Sequence, residues 1–223
     1  MRDYIISINQ MAEFSSATEA GKRRIITQQL NPNKIKISYY QMPKARVKKS
    51  LALKGDLKPV FDGINTLLSR QPVNKRQETD KTVSIEAMER FIQLKLPKIL
   101  KEIDYSVIKP EKKTTTISDV KVIVSPDLII KGLFNGQTVM GALKIHISKH
   151  KPFDLQKSQI VSTTIYKYLQ NEIVDDSAIV LPELCFCLDI FSGRMVSAKD
   201  AHESKYNEII ELCDEIKRFW DVA

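Results

Sequence analysis

Ser125–Ser148 reads SPDLIIKGLFNGQTVMGALKIHIS, and the reading of this stretch decides the fold. Two apolar runs, Asp127 to Leu133 and Val139 to Ser148, flank Asn135 and Gly136. That pair accepts the positive φ angles of a tight turn, so the runs are expected to close a hairpin. In the second run Leu143, Ile145 and Ile147 alternate with Ala142, Lys144, His146 and Ser148. Alternate residues of a strand point to opposite faces, so the first set is expected in the core and the second at a polar cleft. A lysine inside an apolar strand is costly to bury without a partner, and Asp127 is the expected partner of Lys144 across the hairpin.

Working outward, a third strand is expected before the hairpin, from Ile117 to Val124, and a fourth from Glu183 to Phe191, turned by Ser192 and Gly193 toward Met195–Ser197. A helix from Leu155 to Glu172 lies between the hairpin and the fourth strand, and a final helix runs from Ala201 to Trp220. Ahead of them Ser84 is the expected N-cap of a helix from Ile85 to Glu102, with Ile85, Met88, Ile92 and Leu96 as its stripe and Pro97 as a kink. From Ser84 onward the order is α, β, β, β, α, β, α. Residues 71–83 lie in a polar, aperiodic stretch that reads as a linker or loop. Residues 1–70 read as a helical N-terminal part, with helices from Ile8 to Gln29, Pro43 to Leu53 and Leu57 to Leu68, the first ended by Asn31, Pro32 and Asn33. The core proper then spans residues 84–223.

The 223 residues, 43% hydrophobic and 28% charged, suit an ordinary globular α/β (α+β) protein with a real core. The longest apolar runs fall far short of a membrane span, and no signal-like start is present, so a cytoplasmic location without membrane contact is expected. Cys185, Cys187 and Cys213 lack zinc-ligand spacing and read as reduced structural thiols. The formal charge of +8 is concentrated: residues 1–58 hold 12 Lys or Arg against 4 Asp or Glu, a difference equal to the whole excess. Lys22, Arg23, Arg24, Lys44, Arg46, Lys48 and Lys49 would attract a polyanion such as nucleic acid, or serve as a solvated face. Lys149 and Lys151 add a basic turn after the hairpin. Gln159 and Tyr166 lie on one edge of the Leu155–Glu172 helix with Gln156 and Thr163.

A carboxylate that holds a divalent cation beside a lysine that orients water is the chemistry of metal-assisted phosphodiester cleavage. Pro126 and Asp127, followed by Lys144 on the next strand and set in an αβββαβ order, resemble the PD-(D/E)XK superfamily of metal-dependent nucleases over residues 84–191. The whole chain is similar to a group of bacterial proteins with such a core, PDLII, GALKIHISK and CDEIKRFW being its best pieces. The resemblance implies a restriction-endonuclease-like core, a Mg²⁺ or Mn²⁺ cofactor, and nucleic acid as partner, with a homodimer or a multi-protein complex left open. It implies Asp127 as metal ligand, Lys144 as the catalytic lysine, and Glu86 or Glu89 as a helix acid, Glu89 with a catalytic role. His146 is a further candidate ligand, suited to Mn²⁺. The position two before the lysine, an acid in active members, is Ala142. The alternative is therefore a catalytically inactive protein of this fold that binds nucleic acid or acts as a scaffold. No Walker A loop, GxGxxG, HExxH, CxxC or GxSxG motif occurs, which leaves nucleotide hydrolysis, dinucleotide binding, zinc proteolysis and serine hydrolysis without support.

Overall fold

The computed structural model describes residues 3–31, 39–175, 177–199 and 202–222. The chain opens with strand β1 (Ile5–Ser7) and helices α1 (Ile8–Phe14), α2 (Glu19–Leu30), α3 (Gln41–Ala52) and α4 (Lys58–Ser69). Helix α5 (Lys75–Ile92) and the single turn α6 (Ile99–Glu102) lead to strands β2 (Asp104–Ile108), β3 (Thr114–Ile117), β4 (Val120–Ile123), β5 (Leu128–Phe134) and β6 (Gln137–His146). Helix α7 (Leu155–Glu172), strands β7 (Ile179–Asp189) and β8 (Arg194–Ser197), and helix α8 (His202–Asp221) complete it.

The main sheet has the order β2-β5-β6-β7-β8. Its neighbours run antiparallel except β6 and β7, which are parallel and joined through α7, the kind of crossover a parallel pair requires. A smaller sheet, β1-β4-β3, pairs the N-terminal strand in parallel with β4 and closes β3 and β4 as a hairpin. The fold is thus α/β with mixed sheets flanked by helices.

Both faces of the main sheet are covered, and the strands alternate strictly between two cores. Leu128, Ile130, Leu143, Ile145, Leu184, Phe186 and Leu188 pack with Val47, Leu51, Val60, Leu67, Met88 and Phe91 of α3, α4 and α5. Ile129, Ala142, Cys185 and Cys187 face the other way, toward α1, α7, α8 and the smaller sheet. At Gly141 the β6–β7 register shifts, and a Cβ there would collide with the Leu184 backbone, so only glycine permits the strands to approach so closely. Asn135 and Gly136 close the β5–β6 turn at φ 50° and 78°, positive angles that asparagine tolerates and that glycine, without a Cβ, adopts freely.

Several elements differ from the sequence reading. The expected strand Ile117–Val124 is the β3–β4 hairpin, turned at Ser118 and Asp119 with φ 46° and 62°, and it belongs to the smaller sheet. The strand paired with β5 at the edge of the main sheet is β2, for which the sequence reading has no counterpart. The stretch read as a linker is helical from Lys75, where Asn74 caps α5 by accepting from the Gln77 N–H at 3.0 Å and Gln77 reaches back to the Val73 N–H. Asn74-x-x-Gln77 is a capping pattern, the signal that was available for this start. The first helix is two, broken where Thr18 caps α2; Pro32 and Asn33, its expected stop, lie outside the described residues. The N-terminal elements share both cores with the rest of the chain, β1, α1 and α2 in one and α3 and α4 in the other. No helix among the described residues is long and apolar enough to cross a membrane.

Candidate functional site

Ser125, at φ 39°, turns the chain out of β4 and into Pro126 and Asp127. The Asp127 N–H bonds the Leu143 carbonyl at 2.8 Å, extending the β5–β6 ladder by one residue, and its Oδ2 accepts the Ile145 N–H at 2.8 Å. Its Oδ1 lies 2.9 Å from Lys44 Nζ. The carboxylate is therefore held on one side by backbone and on the other by an ammonium delivered by α3.

Lys144 behaves differently from the expectation that it faces a polar cleft and pairs with Asp127. Only 9% exposed, it donates from Nζ to the Val124 carbonyl at 2.8 Å and the Ser125 carbonyl at 2.7 Å. These carbonyls end β4, so the lysine fastens the main sheet to the smaller one. Burial pushes its pKa down to about 8, although the Asp127 charge pulls it upward; Lys44 lowers it further by like-charge repulsion. The reason the pairing fails is geometric: the ladder places the Asp127 carboxylate against the Ile145 N–H, while the Ser125 turn presents two carbonyls to the ammonium.

A cleft of about 840 Å³ opens beside Asp127, walled by Lys44 and Lys48 of α3, Tyr39 and Tyr40 before it, Asn9 of α1, and His146. His146 is 7% exposed and stacks on Phe153 at 3.6 Å. Its Nε2 lies 2.9 Å from the Lys151 carbonyl, and since a carbonyl only accepts, that nitrogen carries the proton. Burial lowers its pKa, opposed by the Lys151 hydrogen bond and the Asp189 charge. Asp189, opposite His146 on β7, is fully buried and takes the N–H groups of Phe153 at 2.6 Å and Ser192 at 2.7 Å. Sequence reasoning passed over Asp189, although an acid three residues before a Ser-Gly turn is a recognisable turn-capping signal.

The remaining candidates fall into three places. Glu86 bonds Lys149 at 2.7 Å and Arg90, and the Lys149 bond is the main cause holding its carboxyl below the usual range. Glu89 is exposed on α5. Gln159 and Tyr166 do not line this cleft: Tyr166 is buried on α7, with its hydroxyl taken by Gln170 and its ring against His202. Among the basic residues, Lys22 pairs with Glu215 at 2.6 Å and lies over Phe14, Arg23 covers Phe219, and Lys151 pairs with Glu13 at 3.0 Å. Arg46 packs over Gly63 of α4. Arg24, Lys48 and Lys49 are exposed, and no ion pair engages them among the described residues.

A divalent cation needs several convergent oxygen donors. Among the described residues no three His, Cys, Asp or Glu side chains gather where a metal ion could sit. Ala142 is fully buried, both Asp127 oxygens are engaged, and Glu86 is neutralised by Lys149 and Arg90. These residues do not fit the cation that the sequence resemblance implies. No family model matches the chain, and no curated protein matches it.

Proposed function

We propose that this protein is a nucleic-acid-binding module on a nuclease-like framework, whose cleft at Asp127 recognises rather than cleaves its ligand. The order helix, β2, β5, β6, α7, β7 supports that framework, with the β3–β4 hairpin as an insertion between the first two strands. The single observation that carries the reading is the 2.9 Å ion pair between Lys44 and Asp127. It sets a positive side chain against the carboxylate that would otherwise hold a cation, in a cleft that also carries Lys48. Lys144, the lysine the nuclease motif would use, is directed into the protein, where it donates to the Val124 and Ser125 carbonyls instead of orienting a water at Asp127.

Binding of labelled single-stranded DNA, duplex DNA and RNA tests this by anisotropy across a salt series, with EDTA or Mn²⁺. The expected result is binding that weakens steeply with salt, is unchanged by EDTA, and is accompanied by no cleavage. Cleavage in Mn²⁺ that is lost in Asp127→Ala would overturn the recognition-only reading, and no binding to any polymer at low salt would overturn the nucleic-acid reading itself.

A further inference from the structure

Three clefts are linked through shared or touching lining residues. The central one, at Asp127, shares Lys48 with a smaller cleft of about 410 Å³ lined by Lys109, Lys113, Ser125 and Pro126. On its other side His146 stacks on Phe153, and Phe153 lines a third cleft of about 560 Å³ with Arg24, His150 and Lys157. Among the described residues Arg24, Lys48, Lys109 and Lys113 have no ion-pair partner, so these charges remain available to a polyanion. The central cleft differs from its neighbours in chemistry. It adds the ring of Tyr39, 39% exposed, and Asn9, whose buried Oδ1 has no hydrogen-bond partner. A duplex presents phosphates and sugars to such a wall, whereas an unpaired base offers a ring face to Tyr39 and an amino edge to Asn9.

Resting on the nucleic-acid reading above, we infer that the ligand is single-stranded, its backbone following the cations from Arg24 through Lys48 to Lys113 and one base lodged in the central cleft between Tyr39 and Asn9. The two sides of the track then supply affinity without sequence preference, and the central cleft supplies the distinction between an unpaired base and a paired one.

Anisotropy with a mixed-sequence single strand, as DNA and as RNA, and with the matching duplex tests the assignment. Tyr39→Ala is expected to weaken single-strand binding at least about 10-fold and leave duplex binding and the salt slope unchanged. Lys48→Ala and Lys113→Ala are each expected to reduce the slope of log affinity against log salt by about 0.7. Asn9→Ala should narrow the preference among bases with an exocyclic amino group. Equal affinity for duplex and single strand in the unaltered protein, or Tyr39→Ala with unaltered single-strand affinity, would overturn the single-strand inference while leaving the nucleic-acid reading intact. Absence of binding to every polymer overturns both. Tyr39 is at the surface, and circular dichroism of each variant separates loss of binding from loss of fold.

Discussion

Replacing Lys144 by Met removes the buried ammonium while keeping its hydrocarbon stem, and the consequence depends on pH in a way that reports where the ammonium sits. The folded pKa of about 8 lies below the ordinary 10.5, so between these values the unfolded chain binds the proton that the folded protein gives up. Unfolding free energy therefore gains from Lys144 as pH rises through that window, and the full penalty of the buried charge applies below it. The separation corresponds to roughly 3 kcal/mol in all, of which about 2.5 kcal/mol develops between pH 7 and pH 10. Buried thiols and phenols titrate in the same range with the opposite sign, but they are common to both proteins and cancel in the difference. Urea unfolding of the wild-type and Lys144→Met proteins at half-unit intervals from pH 7 to pH 10 should show the wild-type gaining about 2.5 kcal/mol on the variant. At pH 7 the variant also leaves the Val124 and Ser125 carbonyls without their donor, a cost of about 1–3 kcal/mol each that offsets the relief of burying no charge. A difference that is flat with pH would mean an ordinary lysine in open solvent, which would return Lys144 to a catalytic cleft and refute the reasoning behind the proposed function.

Gly141→Ala should destabilise the protein by about 2–3 kcal/mol or more, read as a lowered urea midpoint, because the added methyl meets the Leu184 Cβ and the Leu184 backbone of β7, neither of which can swing aside. Ala142→Glu, the change that would complete the nuclease motif, should instead lower the thermal midpoint, with a cost on the order of 3 kcal/mol, and yield no cleavage, since Ala142 is fully buried against the α7 side of the sheet. The three free cysteines should resist a thiol reagent at neutral pH until urea is added. Burial raises all three thiols, Cys187 and Cys213 up to about 12, so their contribution to stability is whole below pH 9 and is lost as pH rises toward 12; a triple Cys→Ala variant should show a flatter alkaline decline.

How far each part was legible depended on how local its cause is. Helix α7 begins where Asp154 accepts the Lys157 N–H at 2.8 Å, a contact spanning three residues. The β5–β6 hairpin turns on two adjacent residues suited to positive φ. Strand β2 was hidden because Asp104–Ile108 is short and lies at the sheet edge, where alternation is weak. The site was less legible than the fold. Lys44 was legible as part of a basic segment, but not as the partner of an acid 83 positions further on.

By itself, then, the sequence determined the mixed α/β character, the central hairpin, the crossover helix and the concentration of positive charge near the N-terminus, because periodicity, capping and turn preference act over a few residues. Only the tertiary structure decided what Asp127 and Lys144 do. With both faces of the main sheet buried, alternation separates two cores rather than inside from outside, so a polar residue on a strand gives no sign of facing water. Whether a buried ammonium finds a carboxylate or a pair of carbonyls is settled by how the Ser125 turn and α3 converge on β6, and that convergence joins segments far apart in the chain.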